Sequence, residues 1–214
     1  MFDNSDSDEA PRQRMVETVA PRVDDDRVLE ALEAVPRHEF VPPDRRDRAY
    51  ADRPLPIGDG QTISAPHMVA IMADLLAVAP GDDVLEIGTG CGYHAAVTAE
   101  LVGDEGVYTV EYSEELADRA RDRLAELGYD GVSVRAGDGR EGWPDRAPYD
   151  AAYFTCAASS VPDPVVEQVG TGGQILAPIG AGIGSQRLVS ATKRADGSLE
   201  RTEHGGVRFV EMRG

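Results

Sequence analysis

Positive charge is what this sequence has least of. Lys193 is the only lysine and Asn4 the only asparagine. Lysine and arginine together number 21 against 39 acidic residues, a formal net charge of −18 and a pI of about 4.5. That balance argues against nucleic acid or an anionic membrane as a non-specific partner. An acidic, lysine-poor surface fits a chain that stays hydrated in concentrated salt, so a halophilic source is expected; an ordinary acidic cytosolic protein is the plainer alternative. Cysteine is scarce too. Cys91 and Cys156 make neither a disulfide framework nor a Cys-x-x-Cys metal pattern. Long apolar runs are missing: Val69–Ala79 is broken by Asp74 and is too short to span a bilayer. No targeting segment is read, so the expected location is the cytoplasm.

The chain of 214 residues, 41% hydrophobic, suits one domain of about 100–200 residues with a tail. Residues 1–10, "MFDNSDSDEA", read as a disordered acidic tail. Residues 11–80 read as a helical and substrate-loop extension, 81–180 as a cofactor-binding core and 181–214 as edge strands. In "DDDRVLEALEAV", Val28, Leu29, Leu32 and Val35 repeat at helical spacing behind N-terminal acids. A Pro-rich stretch with one short helix follows. A helix is then expected over about residues 65–78, with Pro66 in its first turn. Beyond residue 82, strands at 83–88, 106–112, "VSVRAGDG", "YDAAYFT" and "GGQILAPIG" alternate with helices. One of these helices, 113–128, has Ser113 at its N-cap position and Gly128 past its end. The alternation predicts an α/β fold: a doubly wound, mostly parallel sheet with helices on both faces and an antiparallel hairpin at its C-terminal edge.

The chemistry starts at "EIGTGCGY", where Gly88, Gly90 and Gly92 follow a strand and precede a helix. Glycines there let the backbone approach a ligand at the carboxyl end of an open sheet. Glu111 ends the next strand, where it is placed to hold ribose hydroxyls. Asp138 in "AGDG" ends the third and suits an adenine amino group. The third glycine comes one residue too early for the dinucleotide pattern, which favours S-adenosylmethionine over NAD. Nothing in the spacing asks for a metal. "GDGQTISAPHM" places Thr62 and Ser64 on either side of Ile63 just before a helix. From spacing alone Ser64 reads as a helix cap.

Taken together, "AVPRHEFVP", "AYADRPLPIGDGQTISAPHMVAIM", "VLEIGTGCGY", "GDGREGWPDRAPYDA" and "GVRFV" resemble the protein-L-isoaspartate O-methyltransferase family over roughly residues 12–212. The resemblance implies transfer of a methyl group from S-adenosylmethionine to the carboxylate of isoaspartyl residues in damaged protein segments. It implies that Ser64 is the active-site serine with Thr62 beside it. Ile57, Gly58, Asp59 and Gly60 match the loop over the cofactor, and His67 matches a cofactor-side position, although a helix-surface histidine fits the residues equally. Gly88, Gly90, Cys91 and Gly92 match the glycine motif; Glu111 with Tyr112, and Asp138 with Gly139, match the ribose and adenine contacts. It also implies edge strands that depart from the common methyltransferase order. Cys91 stands where the family usually has serine, and "TCAASSVP" departs from its usual acceptor wall.

An ionised acceptor needs no general base, so orientation and exclusion of water are the expected sources of rate. Hydroxyls at Thr62 and Ser64 can donate to a carboxylate without neutralising it. A helix N-terminus beside them offers N–H groups to the same anion. Trp143 reads as packing, arginines 45, 46 and 48 as a solvated face, and Cys91 and Cys156 as small residues that the topology brings near the cofactor. A monomer is expected. Two other readings stay open: a methyltransferase with a different acceptor, and a weakly active cofactor-binding sensor.

Overall fold

Helical packing begins earlier than the acidic composition of the N-terminus implies. The computed structural model describes residues 5–180 and 185–214. Its first helix, α1 (Ser5–Val19), runs through most of the expected tail; residues 1–4 lie outside the described residues. Met15 and Val19, one helical turn apart, are buried, and Asp8 lies 3.7 Å from the His38 ring. Tertiary anchors thus order a segment whose composition reads as disordered. Helix α2 (Asp26–Ala34) starts where the Asp25 carboxylate accepts from the Arg27 N–H, and it buries Val28, Ala31 and Leu32.

The Pro-rich stretch holds two short 3-10 turns, Arg37–Phe40 and Pro43–Arg48, rather than one helix. It also holds a hairpin that periodicity does not reveal, β1 (Leu55–Gly58) against β2 (Gln61–Ile63). Each strand is too short to show an alternating pattern. The turn needs three consecutive left-handed residues, Gly58 (φ 102°), Asp59 (φ 50°) and Gly60 (φ 69°). Helix α3 (Pro66–Leu76) has Ala65, not Ser64, at its N-cap, and that cap makes no side-chain hydrogen bond.

From there strands and helices alternate: β3 (Val84–Ile87), α4 (Tyr93–Val102), β4 (Val107–Glu111), α5 (Glu114–Glu126), β5 (Ser133–Ala136), β6 (Tyr149–Phe154), α6 (Asp163–Gln168) and β7 (Val169–Ile179). Two strands close the sheet, β8 (Arg187–Lys193) and β9 (Leu199–Gly206). The order is β5-β4-β3-β6-β7-β8-β9, parallel from β5 to β7 and antiparallel from β7 to β9. Strand β7 begins at Val169, before the expected "GGQILAPIG", because a bulge lets Val169 pair with Tyr149 and Gln174 with Ala151.

One apolar cluster joins α1 to α4 and Leu124 of α5 to one face of the sheet, through Val84, Val107, Ala151 and Tyr153. The other joins α6 and Trp143 to Leu85, Val110, Ala152 and Phe154. Trp143 is packing, edge-on to Tyr108 with ring centroids 6.0 Å apart. Among the described residues no helix is long and apolar enough to cross a membrane.

The approach of backbones at the head of β4 supplies a test. A Cβ added at Gly106 would stand 2.5 Å from the Asp82 carbonyl oxygen. Gly106→Ala is expected to lower stability by about 1–3 kcal/mol. Gly206→Ala, whose Cβ meets nothing within 4 Å, is expected to be close to neutral; urea denaturation of both reads the difference.

Candidate active site

The chain leaves β3 for β4 on one side and returns to β6 on the other, so β3 and β6 diverge at the sheet's switch point. A cleft opens there at the strands' carboxyl ends. Gly88 (φ 101°) carries the backbone across its floor, and its N–H donates to the Val110 carbonyl at 2.8 Å. A Cβ at Gly88 would run into Thr155 Oγ1, which itself donates to the Gly88 carbonyl. Gly139 closes in from the third strand's loop; a Cβ on it would stand 2.5 Å from Ile87 Cγ2. Cys91 and Cys156 both line the cleft as free thiols, pushed by burial up to about 11 and about 12, so they stay protonated.

Glu111 sits in the wall with each carboxylate oxygen already accepting one backbone N–H, from Gly90 at 2.8 Å and Ser113 at 3.0 Å. Each oxygen keeps lone-pair capacity on the cleft side. Beside it Tyr112 is 49% exposed, with the Arg213 guanidinium 5.4 Å from its ring. Arg213 also reaches the hairpin turn, 2.6 Å from Asp59. Arg213 first, and then the Ser113 hydroxyl, hold the Asp59 carboxyl below the usual range. Ser113 therefore occupies the N-cap position of α5 without a side-chain capping bond. Ile57 is buried, and its carbonyl accepts from Arg119 at 3.2 Å. Ile57 to Gly60 form a strap held at its flank rather than lining of the cleft. Asp138 is not in the lining either. Both of its oxygens are committed to Arg140, which holds the carboxyl below the usual range, and only Gly139 of that pair faces the cleft.

Thr62 and Ser64 line this cleft and also a second groove that adjoins it. Thr155 and Val210 share that position. His67 lines the second groove and not the first. Its ring Nδ1 lies 2.7 Å from Asp52 Oδ1, which also accepts the His67 N–H at 3.0 Å. Burial raises the Asp52 carboxyl, but the His67 and Arg22 bonds together outweigh it and leave it below the usual range. Asp52 is thus the true cap of α3, drawn from outside the helix. The first donors of α3 are consequently spent: Pro66 has no N–H, His67 gives its own to Asp52, and Met68 gives its to Ala65. They are not available to an anion, contrary to the expectation from sequence.

Three contributors escaped the sequence. Residues 210–213 line the cleft because the C-terminal segment pairs beside residue 157, with Ala157 donating to Val210 and Met212 donating to Ala157. Thr155 lay inside a stretch read only as an acceptor wall. His94 sits in the first turn of α4, directly after the glycine motif, and that adjacency was the available signal.

A family model for protein-L-isoaspartate(D-aspartate) O-methyltransferase matches residues 12–214. The chain belongs to the protein-L-isoaspartate O-methyltransferase family. It is 51% identical over 205 residues to protein-L-isoaspartate O-methyltransferase 2 of Archaeoglobus fulgidus, covering 95% of this chain and 93% of that one. It is 52% identical over 207 residues to the Methanopyrus kandleri enzyme of the same family name, covering 95% and 91%. A solved protein-L-isoaspartate O-methyltransferase superposes with a TM-score of 0.87 at 29% identity, over 95% of this chain and 66% of that chain. A Plasmodium falciparum structure in complex with S-adenosyl-L-homocysteine shares the fold, with a TM-score of 0.79, 21% identity and coverage of 94% and 98%.

Members of this family depend on S-adenosylmethionine, and the cleft fits that group. The glycine floor leaves room for it, the Glu111 oxygens remain able to accept from hydroxyls, and the half-exposed Tyr112 lines the same wall. His94 lines the cleft with a buried Nδ1 that has no hydrogen-bond partner among the described residues. Burial pushes His94 down to about 3, so its ring is neutral. Behind the glycine loop lies a buried chain of hydroxyls. Thr109 and Tyr153 donate to Glu86 at 2.5 and 3.0 Å, Thr89 meets Thr109 at 2.7 Å, and Thr98 meets Tyr153 at 2.9 Å. Burial first, with Glu111 adding to it, pushes Glu86 up to about 8 against the two hydroxyl bonds.

Glu86 therefore shapes stability against pH. The unfolded chain loses this proton near pH 4.5 and the folded chain near 8, so stability falls as pH rises through that window. His94 acts with the opposite sign, removing stability as pH falls from 6.5 towards 3. Glu86→Gln is expected to abolish the first slope and keep the second. Its stability relative to the parent should rise by on the order of a few kcal/mol across the window, read by denaturant titration at stepped pH.

Proposed function

We infer that Thr62 and Ser64 hold an isoaspartyl carboxylate over the methyl donor, and that the second groove receives the peptide carrying it. The activity is S-adenosylmethionine-dependent methylation of isoaspartyl residues in damaged proteins. The observation that supports the roles is the double position of Thr62 and Ser64: they stand where the glycine cleft and the groove meet. Acceptor and donor arriving from separate openings would meet at these hydroxyls.

When bound, S-adenosylmethionine supplies an electrophilic methyl carbon on a cationic sulfur. The chain's part is positional. The acceptor carboxylate is ionised at neutral pH, its ordinary pKa being about 4, so its oxygen attacks without a base. Ser64 and Thr62 would donate to the carboxylate and leave one of its oxygens free towards the glycine cleft, where the methyl donor would lie. Glu111 accepts from ribose hydroxyls while its bonds to Gly90 and Ser113 keep it still. Gly88, Gly90, Cys91 and Gly92 carry the floor, and Tyr112 with Gly139 flanks the base. Asp138 acts through Arg140, holding the loop that presents Gly139. The Ile57–Gly60 strap, tied by Arg119 and Arg213, holds Thr62 and Ser64 in register across the mouth. His67, held by Asp52, faces the peptide rather than the cofactor.

The extension, the cofactor core and the edge strands act as one domain, since the cleft draws residues from all three. A soluble, cytoplasmic monomer whose partners are flexible protein segments, rather than nucleic acid or membrane, fits the strongly acidic charge.

The decisive experiment supplies methyl-labelled S-adenosylmethionine with isoaspartyl and aspartyl versions of one peptide in high and low salt. Base-labile label on the isoaspartyl peptide alone is expected. Label on neither peptide, despite cofactor binding, would overturn the reading in favour of a sensor. Ser64→Ala is expected to lower kcat by about 10–100-fold with cofactor affinity kept, the range of a lost hydrogen bond to a charged group; full turnover would remove Ser64 from the role.

A further inference from the structure

The motif "AVPRHEFVP" contributes nothing to either opening, yet it contains an unusual residue. Arg37, in the first 3-10 turn, is 0% exposed. Burying a guanidinium is costly, and the usual compensation is a carboxylate partner. Here Nε donates to the Ala49 carbonyl at 2.7 Å and Nη2 donates to the Ser64 carbonyl at 2.8 Å. The Tyr93 ring lies 4.7 Å from Cζ. Nη1 has no hydrogen-bond partner among the described residues. Carbonyls and a ring face satisfy donors but cancel no charge, so the cation beneath Ser64 stays uncompensated by its direct contacts. Arginine remains protonated under these conditions.

Among the neighbouring charges Asp52 acts on Arg37 through space, without a hydrogen bond to it. Asp52 is engaged by Arg22 at 3.1 Å and by the His67 ring at 2.7 Å. The Cys91 thiol is protonated. The first N–H donors of α3, the other obvious attraction for an anion here, are spent on Asp52 and Ala65.

We propose that Arg37 is a positioning residue for the acceptor: it fixes the Ser64 peptide and supplies the buried positive charge that draws a carboxylate to the Thr62–Ser64 corner. Its planar fork can hold Ala49 and Ser64 together only with the Ser64 carbonyl turned inward. That orientation keeps the Ser64 side chain at the junction of cleft and groove. The charge acts one peptide away from the hydroxyl, close enough to favour an anion and too far to form the direct ion pair that would blunt its attack. This proposal rests on the acceptor reading above.

The test compares an isoaspartyl peptide with its α-carboxamide counterpart, binding to full-length protein loaded with S-adenosylhomocysteine, whose sulfur is neutral. The parent is expected to bind the carboxylate about tenfold or more tightly than the carboxamide. Arg37→Met should lose that preference and raise the peptide KM by a similar factor, with cofactor affinity unchanged. Arg37→Lys should keep the preference but lower kcat, because an ammonium does not hold two carbonyls in one plane. A purely structural arginine would change stability and leave the carboxylate-to-carboxamide ratio untouched. The proposal is overturned if the parent turns over without preferring the carboxylate, or if a folded Arg37→Met or Arg37→Lys matches the parent in both KM and kcat. Should Arg37→Met fail to fold, the parent's ratio and Arg37→Lys decide. A parent that transfers no methyl to the isoaspartyl peptide defeats the activity itself, a result distinct from either outcome.

Discussion

Everything in the site depends on how closely two chain crossings approach each other where β3 and β6 diverge. Thr155 stands where a side chain on Gly88 would be, and its hydroxyl bonds to the Gly88 carbonyl. That contact is possible because Gly88 has no Cβ and takes φ 101°. It brings the end of β6 against the glycine loop, so the two walls of the cleft share one seam. The Gly139 loop closes on Ile87 from the other side by the same device. Parallel strands buried on both faces supply the rigidity that keeps these approaches in place.

Around that seam the charges are distributed by cost. Acids that can be solvated lie on the surface, where a net charge of −18 is tolerable. The acids that are buried are each provided for differently. Glu111 accepts two backbone N–H groups, whereas Glu86, bonded only by hydroxyls, keeps its proton to about pH 8. Arg37 is the counterpart of opposite sign, bonded only by carbonyls. The cleft therefore has an acid in its Glu111 wall, and a cation lies behind its Thr62–Ser64 corner. That polarity suits a reaction between a sulfonium and a carboxylate.

The parallel core was legible because it rests on local signals. Apolar strands, a glycine loop, Leu116, Ala120 and Leu124 at helical spacing and Gly128 past the end of α5 all landed where their chemistry placed them. Boundaries set by long-range contacts were not legible. Helix α1 extends back to Ser5 because α1 packs on partners far along the chain, and the β1–β2 hairpin forms from strands too short to carry a period. Ser64 shows the same limit in the site. Its spacing is that of a cap, yet the cap of α3 is Asp52, fifteen residues upstream of the His67 N–H that it accepts.

The sequence by itself determined the strand and helix order of the parallel core, the family and the cofactor. Those follow from patterns a few residues long. Only the tertiary structure decided which of the expected site residues reach the cleft. It moved His67 to the second groove, brought the C-terminal segment to the cleft wall and placed a buried arginine behind Ser64. Side-chain allegiance of this kind is a competition among donors and acceptors that meet only on folding. Its outcome depends on distances of a few tenths of an ångström that no local spacing records.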